Sequence, residues 1–168
     1  LSAGSGGALE ATEEVWDQGM AIMVKSIFLG AKYAVPEMRK VGGGNIVSVS
    51  SVHGIMTAPG FMVYETAKAA VIGITRQMAT EFGPMGIRVN AVAPGIVPTE
   101  LFAAAASTSG GKNDMEQRAS TTPLRRAGTA EEIAGVVAFL LSDDSAYVTG
   151  QIIAADGGAS IVNTVRPS

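Results

Sequence analysis

The sequence predicts an α/β fold built on a small parallel sheet. Three observations carry that prediction. Short β-branched runs near 45–51, 87–93 and 151–155 are apolar enough to be strands buried on both faces. Longer segments between them have helical period. Glycine and proline stand where each element must stop. Helices alternating with buried strands imply parallel pairing, with right-handed crossovers expected.

The elements follow in order. The stretch to about Ala11 is rich in glycine and serine and reads as loop. Thr12 followed by Glu13 and Glu14 opens a helix, with a capping oxygen and then acids beside the positive helix end. Trp16, Met20, Met23, Ile27, Ala31, Ala34 and Met38 recur at helical spacing and predict one buried face. Gly42-Gly43-Gly44 ends that helix. Asn45 to Ser51 is the first strand, and a loop with Gly54, Pro59 and Gly60 follows. A helix over about 62–82 buries Ala67, Val71, Ile74, Met78 and Phe82, and Gly83-Pro84 stops it. Ile87 to Ala93 is the second strand, broken by Pro94-Gly95.

Residues 99–127 have no clear period, though Ala103 to Ala106 predict a helical piece and Ser107 to Lys112 a mobile one. Thr129 with Glu132 three later is a capping box opening a helix through Ile133, Val137 and Leu140. Gln151 to Ala155 is the third strand, ended by Asp156-Gly157-Gly158.

The totals exclude several functions. The 168 residues suffice for one domain, and 47% hydrophobic with 16% charged is a globular composition. A net charge of -3 with no basic block leaves no footprint for nucleic acid. No apolar run reaches membrane-span length, and the first residues lack the pattern of a signal peptide. The absence of cysteine removes disulfides and thiolate sites, and fits a reducing, cytoplasmic setting. A single histidine, His53, makes a metal site an unfavoured reading.

The chemistry-bearing residues gather where strands end, the place where open α/β sheets bind ligands. Ser51 ends the first strand. Tyr64 and Lys68, four apart, share one face of the next helix. An ammonium beside a phenol favours the phenolate, so such a tyrosine can act as general acid or base. Ser51 could hold a substrate oxygen. Taken singly, each has a bland reading: an exposed helical pair, and a strand-end hydroxyl bonded to backbone. His53 reads more readily as a loop residue than as a substrate contact. Asp143-Asp144 read as a solvated turn and Arg125-Arg126 as ion-pair braces for the loop before them. Met20, Met23, Met38, Met56 and Met62 read as gap-filling core.

Together these residues resemble the short-chain dehydrogenases/reductases. The resemblance runs through Asn45 to Ser51, Tyr64-Glu65-Thr66-Ala67-Lys68 and Gly86 to Gly95. It continues through Pro123 to Gly128 with Glu131-Glu132-Ile133, Tyr147 to Gln151, and Asp156 to Gly158. It implies an NAD- or NADP-dependent oxidoreductase acting on a small-molecule secondary alcohol or ketone, on a doubly wound (Rossmann) sheet. It implies that Tyr64 exchanges the proton, that Lys68 tunes Tyr64 and binds the nicotinamide ribose, and that Ser51 orients the carbonyl. Pro94, Gly95, Val97 (by its backbone) and Thr99 (by its hydroxyl) would meet the nicotinamide carboxamide. Asn90 would be structural, and 99–127 would be a substrate lid. A homo-oligomer through the helices near 12–39 and 62–82 is also implied, and the motifs lean towards 3-oxoacyl reductases.

Two departures accompany the resemblance. Met23 stands where the family often has an asparagine that sits on a helix kink and holds a relay water, which a thioether does not hold as an amide does. The strand–glycine-loop–helix that cradles the cofactor pyrophosphate has no match here, and Ser2-Ala3-Gly4 resembles the end of a segment that follows the fourth family strand. The chain is therefore expected to be one partial dinucleotide-binding domain whose first strand is left as a pairing edge. The alternative to an enzyme is a truncated, non-catalytic oligomerisation module of the same family.

Overall fold

In the computed structural model, residues 6–99, 117 and 119–162 are described. Ser2 to Gly4 and residues 103–112, for which the sequence carried expectations, lie outside those residues. Thr12 accepts a hydrogen bond from the Val15 amide and caps α1, Glu13–Met20. A π-helical turn over Ala21–Lys25 joins α1 to α2, Ser26–Lys40. The expected single helix is thus present with a wider turn in its middle, and Met23 lies within that turn. Widened turns of this kind displace one backbone bond and bend the axis. Gly42 and Gly43 then adopt positive φ and release the chain into β1, Gly44–Val49.

A single turn at Val52–Gly54 leads to the loop before α3, Met62–Phe82. Gly86, in the left-handed region, turns the chain from α3 into β2, Ile87–Pro94. The predicted capping box is present: Thr129 accepts from the Glu132 amide and Glu132 accepts from the Thr129 amide. It starts α4, Ala130–Leu141. β3, Ile152–Ala155, completes a parallel sheet in the order β1-β2-β3. Gly44 pairs with Ile87 and Val49 with Val92, while Ala91 pairs with Ile152. β1 is an outer strand of this sheet.

The two faces of the sheet carry different helices. Ile87 and Val89 of β2 lie in a core with Ala31 and Val35 of α2 and Met78 and Ala79 of α3, with Ile46 packed against it. Their neighbours in sequence point the other way, as pleating requires. Asn45 donates to the Leu141 carbonyl and Arg88 to those of Leu140 and Ser142, all at the end of α4. α3 and α4 therefore cover opposite faces. Both crossovers step in the same direction across the sheet, so they have opposite hands, and the expectation of two right-handed crossovers fails for one of them. The right-handed rule holds where a strand feeds directly into its helix. Here residues 95–129 intervene between β2 and α4, long enough to carry the chain around the sheet end.

The predicted buried face of α1–α2 also needs correction. Of that face Ala31 is buried and Met20, Met23, Ile27, Ala34 and Met38 are half-buried, but Trp16 is exposed; Phe28, Leu29 and Tyr33, off that face, are exposed as well. Met56 and Met62 are exposed as well, so they do not fill the core.

Candidate active site

The predicted site residues converge at the carboxyl ends of β1 and β2. The Ser50 amide donates to the Val92 carbonyl, carrying the pairing of β1 with β2 one residue past the strand. Ser51 then caps the turn at Val52–Gly54, its hydroxyl oxygen accepting from the His53 amide at 3.1 Å. Ser51 is buried. Because that bond uses a lone pair, its O–H remains available as a donor.

α3 arrives at this point through two backbone-level locks. The Ser50 hydroxyl donates to the Lys68 carbonyl at 2.8 Å. Gly54 lies so close that a Cβ there would stand 2.7 Å from the same carbonyl oxygen. Any larger residue would push the loop off the helix. Tyr64 and Lys68 lie on the first turns of α3, as their spacing predicts, with the Lys68 Nζ 5.6 Å from the centre of the Tyr64 ring. Nζ also donates to the Val49 carbonyl at 3.0 Å. That bond ties the helix to the end of β1. Burial holds the Lys68 pKa below the usual lysine range, because the charged form loses hydration. Among the described residues, no hydrogen bond takes up the Tyr64 hydroxyl.

Pro94 ends β2, and Gly95 follows it. The Gly95 amide donates to the Ala155 carbonyl, and a Cβ on Gly95 would meet the Asp156 Cα at 2.7 Å. Glycine is what lets this turn lie against the end of β3. The Ile96 carbonyl accepts from the Gly128 amide, which ties the start of the 95–99 segment to the chain entering α4. Val97 is half-buried and Thr99 exposed beyond it. Of the expected lid, 100–116 and 118 lie outside the described residues. At its far end Arg126 forks onto Glu132 at 2.6 and 2.8 Å, the predicted brace. Arg125 instead donates to the Ser120 carbonyl.

A cleft of about 490 Å³ opens beyond β3, between the segment 123–128 and the start of α4. None of Ser51, Tyr64 or Lys68 lines it. The candidate site is therefore defined by its converging groups and not by that cleft.

Two residues escaped the sequence reading. Ser50 looks like any strand serine, and only the fold brings it to Lys68. Glu65 sits in the first turn of α3, where an acid reads as a partner of the helix dipole. It is in fact buried and bonded to His53, Nδ1 to Oε1 at 2.8 Å, and to the Ala58 amide at 2.7 Å.

The residues present fit the nicotinamide end of a dinucleotide. Lys68 is a half-buried cation with three donors and one bonded carbonyl, which leaves it donors for ribose hydroxyls. The pyrophosphate end is different. Among the described residues no glycine-rich turn runs from a strand into a full helix; Gly157 and Gly158 lead only to a single turn, Ala159–Ile161.

Comparison with known proteins identifies the family and the fold. Residues 2–160 match the family described as enoyl-(acyl carrier protein) reductase. Dehydrogenase/reductase SDR family member 4 of Homo sapiens is 40% identical over 153 residues, which are 91% of this chain and 54% of that protein. The 3-oxoacyl-[acyl-carrier-protein] reductase of Thermotoga maritima is 44% identical over 149 residues, covering 89% of this chain and 58% of that protein. The crystal structure of a gluconate 5-dehydrogenase from Burkholderia cenocepacia, in complex with NADP and tartrate, superposes with a TM-score of 0.84 at 30% identity. That match covers 94% of this chain and 61% of the other. The chain thus spans little more than half the length of the relatives it matches. With three parallel strands, their flanking helices and these matches, the chain belongs to the short-chain dehydrogenase/reductase family.

Proposed function

We propose that Ser51, Tyr64 and Lys68 carry an NAD- or NADP-dependent interconversion of a secondary alcohol and a ketone. The observation that supports this most directly is the Lys68 ammonium held beside the Tyr64 ring with donors to spare. When bound, the nicotinamide supplies or accepts the hydride. Ser51 donates its O–H to the substrate oxygen and fixes its direction. In reduction Tyr64 gives its phenolic proton to that oxygen; in oxidation it takes the proton back. Lys68 stabilises the phenolate and holds the ribose. Pro94, Gly95, Val97 and Thr99 line the carboxamide end. Residues 99–127 close over the substrate as a lid.

The matched region is one partial dinucleotide-binding domain, and the pyrophosphate cradle belongs to a part of the fold that precedes it. A 3-oxoacyl thioester is the substrate class to which the acyl-carrier-protein reductases point. Among the described residues no helix is long and apolar enough to cross a membrane. A cytoplasmic setting is the reading that the lack of cysteine supports.

A second reading, a non-catalytic oligomerisation module, draws on one surface. Ile22, Phe28, Leu29 and Tyr33 stand exposed along the π turn and α2. A homo-oligomeric enzyme would cover the same residues, so cofactor binding separates the two readings. Calorimetric titration with NADH and NADPH is expected to show binding. No heat with either would leave the module. Tyr64→Phe is expected to lower turnover by roughly 10²- to 10⁴-fold, the usual worth of a general acid. Near-full activity in that variant would overturn the mechanism.

A further inference from the structure

We infer that His53 and Glu65 form a carboxylate–imidazole pair that anchors a second, hydroxyl oxygen of the substrate, making hydroxy ketones and related polyoxygenated carbonyl compounds the preferred class in place of the 3-oxoacyl thioester to which the acyl-carrier-protein reductases point. This rests on the proposed role of Ser51 and Tyr64 in holding the reacting oxygen.

The geometry begins with Glu65. Its carboxylate is nearly excluded from water, yet it is not orphaned. One oxygen, Oε1, takes both the Ala58 amide at 2.7 Å and the His53 Nδ1 at 2.8 Å. A carboxylate only accepts, so Nδ1 must carry the proton. The tautomer is thereby set, and the other ring nitrogen, Nε2, is the one left for solvent or ligand. Among the described residues nothing bonds it.

The imidazole is also fixed in place. It packs against Phe61, ring centres 5.3 Å apart, and stands edge-on to Tyr64 at 6.0 Å. Its own amide donates to the Ser51 hydroxyl. One imidazole is therefore coupled by backbone to the residue that would orient the carbonyl, and by ring contact to the residue that would exchange the proton. A group so placed stands beside both residues that would hold the reacting oxygen. The arrangement matches the general way a buried carboxylate orients a functional histidine.

The bland account is that Glu65 merely closes the loop by binding both His53 and Ala58. Two features weigh against it. Closing the loop needs only the Ala58 bond, and the imidazole is in addition held beside Tyr64. A half-buried imidazole with one nitrogen committed and one open is arranged as a contact residue. In this scheme Glu65 is a positioning residue, acting through His53.

The test compares butanone with 1-hydroxy-2-butanone, which differ by one hydroxyl. His53 is the sole histidine of the sequence, so its ring nitrogens can be assigned by nitrogen-15 NMR against His53→Phe. The neutral ring is expected to be the Nδ1–H tautomer. Adding the hydroxy ketone, with and without NADP, should move the Nε2 resonance; butanone should not. The ratio of kcat/KM for the hydroxy ketone over butanone should fall roughly tenfold in His53→Phe, the worth of one hydrogen bond, and mainly through KM. Glu65→Gln can still accept from Ala58, so the loop stays closed, but the tautomer preference and the ratio should both weaken. An Nε2–H tautomer, or no shift with the hydroxy ketone in either condition, would overturn the inference. So would an unchanged ratio in both variants. Tyr64→Phe tests the underlying reading separately. It should lower turnover of both ketones by the same roughly 10²- to 10⁴-fold while leaving the Nε2 shift, and retained turnover would sink the proton-transfer role of Tyr64 alone.

Discussion

Two polar clusters lie on either side of this sheet and use the same kinds of groups to different ends. At the start of β2, Arg88 donates to the carbonyls of Leu140, Ser142 and Val148, and Asn90 bonds both the Val148 carbonyl and the Gln151 amide. At the far end of β1 and β2, Lys68 meets one carbonyl, Ser51 one amide, and the Tyr64 hydroxyl no described partner. The first cluster spends five hydrogen bonds on backbone groups that hold α4 and the entry to β3. The second keeps donors in reserve. Spare hydrogen-bonding capacity in a fixed frame separates a site from a brace more surely than residue type does, because reserved donors are what a ligand can use.

Lys68→Met should break this contrast most sharply. It is expected to remove turnover while raising the thermal midpoint. Burial depresses the lysine pKa, so the protonated side chain costs folding free energy at neutral pH, and the cost is relieved as pH rises past the folded value. A lower midpoint in a melt near neutral pH would show that the Val49 bond outweighs that cost. Asn90→Ala should do the reverse. It leaves the active groups in place but takes the acceptor from the Gln151 amide and leaves the Val148 carbonyl only its 3.3 Å bond from Arg88, at about 1–3 kcal/mol in denaturant unfolding.

Smaller effects sharpen the comparison within the braced region. Thr129→Ala removes the cap of α4 and should cost about 1 kcal/mol by the same measurement. The Arg126 side chain and then the Thr129 amide bring the Glu132 pKa down to about 2. Its stabilising effect is therefore present above the ordinary carboxylate range and lost as pH falls towards 2. Thermal midpoints followed down the acid limb should fall less steeply in Glu132→Gln. This pair is exposed, so the difference should be modest and should shrink in salt.

Much of the molecule was legible because its signals are local. The Thr129–Glu132 box, the ends of α3 and all three strands depend on residues within a few positions of each other. The pairing of Tyr64 with Lys68 is likewise set by helical pitch. The surface of α1–α2 was less legible. Apolar spacing marks a face without saying how deeply each residue on it is covered: Ala31 is buried, Met20, Met23, Ile27, Ala34 and Met38 are half-buried, and Trp16 is exposed. Met23 illustrates the middle case. Alignment to a kinked helix marked the position, and the π turn over Ala21–Lys25 includes it.

By itself, the sequence determined the alternation of elements, the parallel sheet and the candidate pair on α3, since periodicity and capping act over single turns. Tertiary structure alone decided three things. It put α3 and α4 on opposite faces, because the segment 95–129 allows the chain to round the sheet. It brought Ser50 and Gly54 against the Lys68 carbonyl, a contact between segments that no local pattern encodes. And it turned Glu65 from a first-turn acid into the buried partner of His53, because packing, not helix position, determines which carboxylates lose their water.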